Sequence, residues 1–185
     1  TDKARLRSET RARRHAFVTK LGADERQSLE AAIARQALPL VGVASVVGSY
    51  VPMGGEVDPS PFVSVLADRV LALPWCESRA SEMRFRRAGA LEPGPFGTMQ
   101  PVASEPLVDP LVLLVPLVAA DLACNRLGQG QGHFDRALAA MRRRGLQAAI
   151  GLAWDVQIVD ALPTDSWDQR LDAVVTPTRV VRANG

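Results

Sequence analysis

The feature that most constrains this chain is an unbroken apolar run, Pro110 to Ala120, eleven residues long, with the continuous Leu and Val segment Leu111 to Val115 inside it. As a strand such a run has no polar face to show to water, so it must be covered on both sides. It is far short of the roughly 18–20 apolar residues that cross a bilayer, and Ala37 to Gly55, longer and uncharged, is broken by serines, glycines and prolines. No membrane association is therefore expected.

Helical and strand-like segments alternate around that run. Thr1 to Leu21 reads as a helix stopped by Gly22. Asp24, with Gln27 as a capping-box partner, is expected to cap a second helix running to about Leu38. Val43 to Val51 fits a buried strand, and Asp58-Pro59 opens a third helix. Val70 to Leu73 and Met83 to Arg86 are short strands. Gly89 to Pro110, with five prolines, is expected to be a long irregular connection near the site. Asp121 to Gly132 reads as a polar loop and Phe134 to about Arg144 as a helix. Ala148 to Ala153, Leu171 to Val175 and an edge at Val180-Val181 complete the set. The alternation predicts an α/β fold with an open, mostly parallel sheet and helices on both faces, in one domain over residues 1–185.

The net charge of +2 conceals a basic start: residues 1–20 carry seven basic and two acidic side chains. That points to a polyanionic partner. Only 5% of residues are aromatic and none interleave with the arginines, so stacking on single-stranded nucleic acid gains little support. Two cysteines, Cys76 and Cys124, make neither a disulfide framework nor a metal knuckle. With a charged start that lacks the apolar core of a secretory leader, the expected compartment is the cytoplasm.

The segment Asn125-Arg-Leu-Gly-Gln-Gly-Gln-Gly-His-Phe-Asp-Arg136 is the most informative. Gly128, Gly130 and Gly132 alternate after a buried strand and before a helix, which lets backbone N–H groups converge on an anion at a helix N-terminus. Arg126 adds a cation. The spacing fits neither the Walker A loop nor the dinucleotide fingerprint, and an alternating-glycine loop is also a plain turn. Asp135 reads either as an acid complementing the helix dipole or as a Mg²⁺ ligand beside phosphates. Asp168 reads as a solvated acid or a second such ligand. Glu56, just past a predicted strand end, is placed to accept N–H donors of a heterocycle, or is a surface acid. Met83 and Phe85 share a strand face and read as core or as a ligand wall. Arg142 to Arg144 suit a helix C-terminus, His15 an exposed helix face, and His133 a place beside the cradle.

Taken in order, these motifs resemble the 5-formyltetrahydrofolate cyclo-ligase (5,10-methenyltetrahydrofolate synthetase) family over nearly the whole chain. Lys3-Ala-Arg-Leu-Arg7 is similar to the family's Lys-x-x-Leu-Arg, followed by Glu56-Val57-Asp58, Met83 and Phe85, Phe96-Gly97 and Pro101. Arg126-Leu127-Gly128-x-Gly130-x-Gly132 with Phe134-Asp135 is the most specific match, and Gln157, Leu162-Pro163, Asp168 and Thr176 follow. The chain departs from the family's usual residues at Cys124, where glycine is usual, and at Gln129, Gln131, His133, Gln100, Pro59 and Trp167.

The resemblance implies a three-layer α/β/α domain. It further implies an ATP-dependent ligase that converts 5-formyltetrahydrofolate to 5,10-methenyltetrahydrofolate with release of ADP and phosphate. By that resemblance Lys3, Ala4, Arg5, Leu6 and Arg7 and the loop residues Arg126, Leu127, Gly128, Gln129, Gly130, Gln131, Gly132, His133 and Phe134 would bind ATP, with Lys3 and Arg126 catalytic. Val51, Glu56, Met83, Phe85 and Gln129 to His133 would contact the folate. Asp135 and Asp168 would hold Mg²⁺. The expected partner is the small-molecule folate, with a monomeric chain and no nucleic acid or membrane. Three other readings remain open: an enzyme of the same fold with another substrate, a non-catalytic nucleotide- or folate-binding relative, and a nucleic-acid module using the arginine-rich first helix.

Overall fold

A computed structural model describes residues 2–183; Thr1, the expected start of the first helix, lies outside them. The apolar run becomes β6 (Val112–Pro116), the middle strand of a seven-stranded sheet. Its alternate side chains serve two cores. Val112 and Leu114 face a cluster with Ile33, Ala37 and Val41 of helix α2 (Ala23–Val41). Leu113 and Val115 face a second cluster with Ala137, Leu138 and Met141 of helix α4 (His133–Arg143). Two covered faces are what a strand without a polar side requires, and they make the three layers.

Beside β6 lie β1 (Val46–Gly48) and β9 (Ala148–Leu152); β2 (Val70–Trp75) and β11 (Ala173–Val175) flank these, all parallel. Two antiparallel strands, β3 (Arg84–Arg87) and β12 (Val180–Arg182), close the edges. From β1 the chain builds the sheet first toward β2 and β3, then returns to the other side as β6, β9 and β11. The topological switch therefore falls between β1 and β6, where open α/β sheets bind ligands beyond the strands' carboxyl ends. Gly48 permits the close packing at that point: a Cβ there would meet Leu113 Cδ1 at 2.5 Å.

Several local expectations shift. The first helix, α1 (Asp2–Val18), ends three residues early. Asp24 is not the cap of α2; Gly22 holds that position without a side-chain bond, and Asp24 and Glu25 sit in the first turn, where the dipole favours them. The helix continues through Pro39 because Ala37 and Val41 are buried, and it stops at Gly42. The first strand is three residues, since Val43 is 96% exposed and Tyr50 and Val51 have left the sheet. The third helix, α3, is Ser60–Val65, with Asp58 accepting the Ser60 N–H through its side chain. The proline-rich connection is not wholly irregular: β4 (Leu91–Pro93) and β5 (Met99–Pro101) pair as an antiparallel hairpin. The loop expected at 121–132 likewise begins as a hairpin, β7 (Ala119–Asp121) with β8 (Arg126–Leu127), and β10 (Ile158–Val159) adds to β7.

Candidate active site

The β7–β8 hairpin is organised by one side chain. Asp121 Oδ1 accepts the Ala123 and Asn125 N–H groups, and Oδ2 accepts Asn125 Nδ2 and the Leu162 N–H. Cys124 turns the chain at a φ of 64°, a left-handed conformation that explains why glycine is the easier residue at that place. Arg126 is thereby presented on a short strand whose neighbour Leu127 is packed in the core.

After β8 the chain runs through the glycine loop into α4. Gly132 caps the helix with a φ of 66° and offers no side chain to its first-turn N–H groups. That is the open helix N-terminus an anion site needs. The buried Arg126 guanidinium lies behind it, 3.0 Å from Asp135 Oδ1, with its Nε unpaired among the described residues and Phe134 5.7 Å away. Helix α1 supplies two more cations: Lys3 Nζ bonds Asp165 and Asp168, and Arg7 Nε donates to the Gly128 carbonyl at 2.9 Å. Burial and the nearby Arg136 hold the His133 imidazole below its ordinary range, which favours its neutral form. Its ring packs on Phe96 at 4.6 Å, which joins the β4–β5 hairpin to the loop.

These elements surround a cavity of about 1170 Å³ at the switch point. Lys3, Arg7, Val51, Glu56, Met83, Arg126, Leu127, all of Gly128 to Phe134, Asp135 and Asp168 line it. Ala4, Arg5, Leu6 and Phe85 do not. Ala4 and Arg5 face solvent, with Arg5 paired to Glu9, while Leu6 packs beside Ala119 and Leu127. Phe85 is 3% exposed in the core, and Met83 precedes the strand instead of sharing its face. Tyr50, Met53, Phe96 and Trp167 also line the cavity; the exposed Trp167 follows no helical or strand period that would have singled it out.

At the far end Glu56 is nearly buried. Its Oε2 accepts the Met53 N–H at 3.0 Å and its Oε1 accepts Gln129 Nε2 at 3.1 Å, with Arg14 Nη1 4.0 Å away. Burial pushes this carboxyl above the usual range, and the Met53 N–H, Arg14 and Gln129 work against that rise. The buried carboxylate and the glycine loop are thus joined through one side chain, Gln129.

Asp135 and Asp168 are each tied to a cation, yet each keeps an oxygen, Oδ2 of Asp135 and Oδ1 of Asp168, without a protein hydrogen bond among the described residues. No cluster of three or more metal-ligating side chains exists among the described residues. Two carboxylates with free oxygens beside a phosphate cradle do fit Mg²⁺, which takes few protein ligands and fills its shell with phosphate oxygens and water.

The family model described as the 5-formyltetrahydrofolate cyclo-ligase family matches residues 1–177. A 5-formyltetrahydrofolate cyclo-ligase of Escherichia coli strain K12 is 32% identical over 161 residues, covering 82% of this chain and 88% of that protein. One of Mycolicibacterium smegmatis is 29% identical over 148 residues, covering 73% and 75%. The solved structure of 5,10-methenyltetrahydrofolate synthetase from Aquifex aeolicus is 32% identical with a TM-score of 0.81, covering 100% of this chain and 94% of that one. Matched by the family model over residues 1–177, this chain belongs to the 5-formyltetrahydrofolate cyclo-ligase family.

Proposed function

We propose that this chain catalyses the ATP- and Mg²⁺-dependent cyclisation of 5-formyltetrahydrofolate to 5,10-methenyltetrahydrofolate, with ADP and phosphate as the other products. It acts as a monomeric cytoplasmic enzyme on a small-molecule substrate. The observation that carries the reading is the 3.1 Å hydrogen bond from Gln129 of the glycine loop to Glu56. It supports the reading because it joins the glycine loop at a helix N-terminus, suited to anionic phosphates, to a buried carboxylate suited to a pterin's N–H edge, as transfer between a nucleotide and a folate demands.

The chemistry follows from a poor leaving group. The formyl oxygen attacks the terminal phosphorus of ATP and ADP departs; N10 of the same folate then attacks the activated formyl carbon. Phosphate leaves with that oxygen, and the N10 proton is lost. Catalysis of such a transfer rests on positioning and charge neutralisation more than on a protein nucleophile. Arg126 and the loop N–H groups neutralise the phosphates, Lys3 and Arg7 approach them from α1, and Glu56 orients the heterocycle. Val51 and Met83 wall the ring. Asp135 and Asp168 would hold Mg²⁺, which supplies further charge neutralisation at the phosphates.

The test is turnover of 5-formyltetrahydrofolate read by the near-ultraviolet absorbance of the methenyl product. Product that requires both ATP and Mg²⁺ is expected, and Arg126→Ala or Asp135→Ala should cut the rate by about 10²-fold or more while the protein stays folded. A folded protein that binds ATP and makes no product overturns the reading in favour of another substrate or a non-catalytic binder. Unchanged rates in both variants overturn the assignment of the cradle and the metal.

A further inference from the structure

Four basic residues along one face of α1 meet successive parts of the site. Lys3 reaches Asp165 and Asp168, Arg7 the Gly128 carbonyl, Arg11 the backbone and side-chain oxygens of Gln129, and Arg14 Glu56. Their spacing of four, four and three residues is that of one helical stripe. Arg14 differs from the others. It does not line the cavity, and it is only 4% exposed.

Its burial is costly and poorly compensated. Nη1 makes one long hydrogen bond, 3.4 Å to the Leu117 carbonyl, and Nε has no partner among the described residues. A guanidinium whose task was to tie backbone segments together would be better satisfied, because an orphaned buried donor costs stability. What the position does provide is a charge beside Glu56. The turn that presents Glu56 is laid directly on it: a Cβ on Gly54 would lie 3.6 Å from Arg14 Nη2, and one on Gly55 3.6 Å from Val18. Both glycines have positive φ, 53° and 81°, so the turn keeps this close approach to α1.

We propose that Arg14 is the positioning residue for Glu56, holding the buried carboxylate as an oriented anion so that it accepts the N–H donors of the folate heterocycle. This rests on the functional reading above. A neutral carboxyl would present its own O–H to those donors. Burial alone drives Glu56 that way, and the groups opposing it are the Met53 N–H, Arg14, Gln129 and Arg11. The other ionisable groups at the turn are committed elsewhere or carry no compensating charge. Arg26 bonds Glu30 and the Glu56 carbonyl, Glu30 also accepts the Asp58 N–H, Asp58 accepts the Ser60 N–H, and Tyr50 donates to the Val57 carbonyl. Tyr50 is itself kept neutral by burial and the nearby carboxylates.

The experiment measures binding of 5-formyltetrahydrofolate and of MgATP across pH for wild type, R14Q, R14K, E56Q and R14Q/E56Q. In R14Q the acid limb of folate binding should move up by about one pH unit, so that below the wild-type midpoint folate affinity is about tenfold weaker. MgATP affinity should stay within about twofold. Lysine should restore most of the loss, and R14Q/E56Q should bind folate no worse than E56Q. Equal losses for folate and MgATP, an unmoved pH profile, no rescue by lysine, or a further loss in the E56Q background would each overturn the proposal. If R14Q alone does not fold, the comparison of R14Q/E56Q with E56Q still decides, because it removes the buried charges together. A wild-type protein that binds no folate would instead defeat the functional reading itself.

Discussion

Lys3 Nζ donates to Asp165 Oδ2 at 2.6 Å and to Asp168 Oδ2, tying the start of the chain to a turn more than 160 residues later. Burial acts to raise the Asp168 carboxyl, but the Lys3 and Asp165 hydrogen bonds outweigh it and hold the group below its ordinary 3.8. Burial likewise acts to lower Lys3, and its two aspartates outweigh that and raise it above 10.5. For the depressed acid, stability is present above 3.8 and lost as pH falls through the folded value; for the raised base, it is present below 10.5 and lost as pH rises through the folded value. Lys3→Met should therefore cost about 0.5–1 kcal/mol at pH 7 in urea unfolding, and the difference should fade well below pH 3.8. A loss that persists undiminished in acid would mean that Lys3 contributes packing and not charge. At this scale the sequence was legible where residue type and local motif marked a place in the cavity: Lys3, Arg126, Glu56 and Asp135 all line it. It was mute on Arg14, one arginine among seven basic residues in the first twenty, because burial of a charge is a tertiary fact.

The glycine loop shows what an element adds to its residues. Gly130 stands at a φ of 108°, and a Cβ there would lie 3.4 Å from both the Cζ and the Nε of Arg7. Gly130→Ala should therefore destabilise the fold by about 1–3 kcal/mol through backbone strain and displace Arg7 from the Gly128 carbonyl. The kinetic signature is a raised KM for ATP with the folate KM less affected, read from initial rates. An alanine variant with unchanged ATP kinetics would show that the loop conformation is not part of nucleotide binding. The central strand and the loop-to-helix junction were legible because apolar continuity and alternating glycines are local patterns. The β7–β8 hairpin was hidden, since it depends on Asp121 bonding four groups, one of them on Leu162. The cap of α2 was misplaced for a similar reason: Asp24 has the right chemistry for a cap, but Gly22 precedes the helix in extended conformation.

Across the molecule, the sheet and α1 are held by different forces. Strands β6 and β9 have side chains fully buried on both faces of the sheet, and β1 buries Val47 fully and Val46 in part, whereas only Thr10 and Arg14 are buried on α1. The helix is fastened instead by its polar stripe to the turn at Asp165–Asp168, to the glycine loop and to Glu56, with Phe17 and Val18 packed on the core at its end. Segments with few buried apolar contacts open at lower free energy than the core, so α1 is expected to open without the sheet. Bound phosphates would add anionic partners for Lys3 and Arg7 and draw loop and helix together. Hydrogen exchange should then report MgATP binding as a joint slowing of amides in residues 3–14 and 128–133, by about tenfold or more at saturating nucleotide, with β1, β6 and β9 unchanged. Slowing in the loop alone would show that α1 is a bystander to the nucleotide. Slowing that reaches the sheet would show that helix and core open as one unit, and the separation of forces drawn from their burial would be wrong.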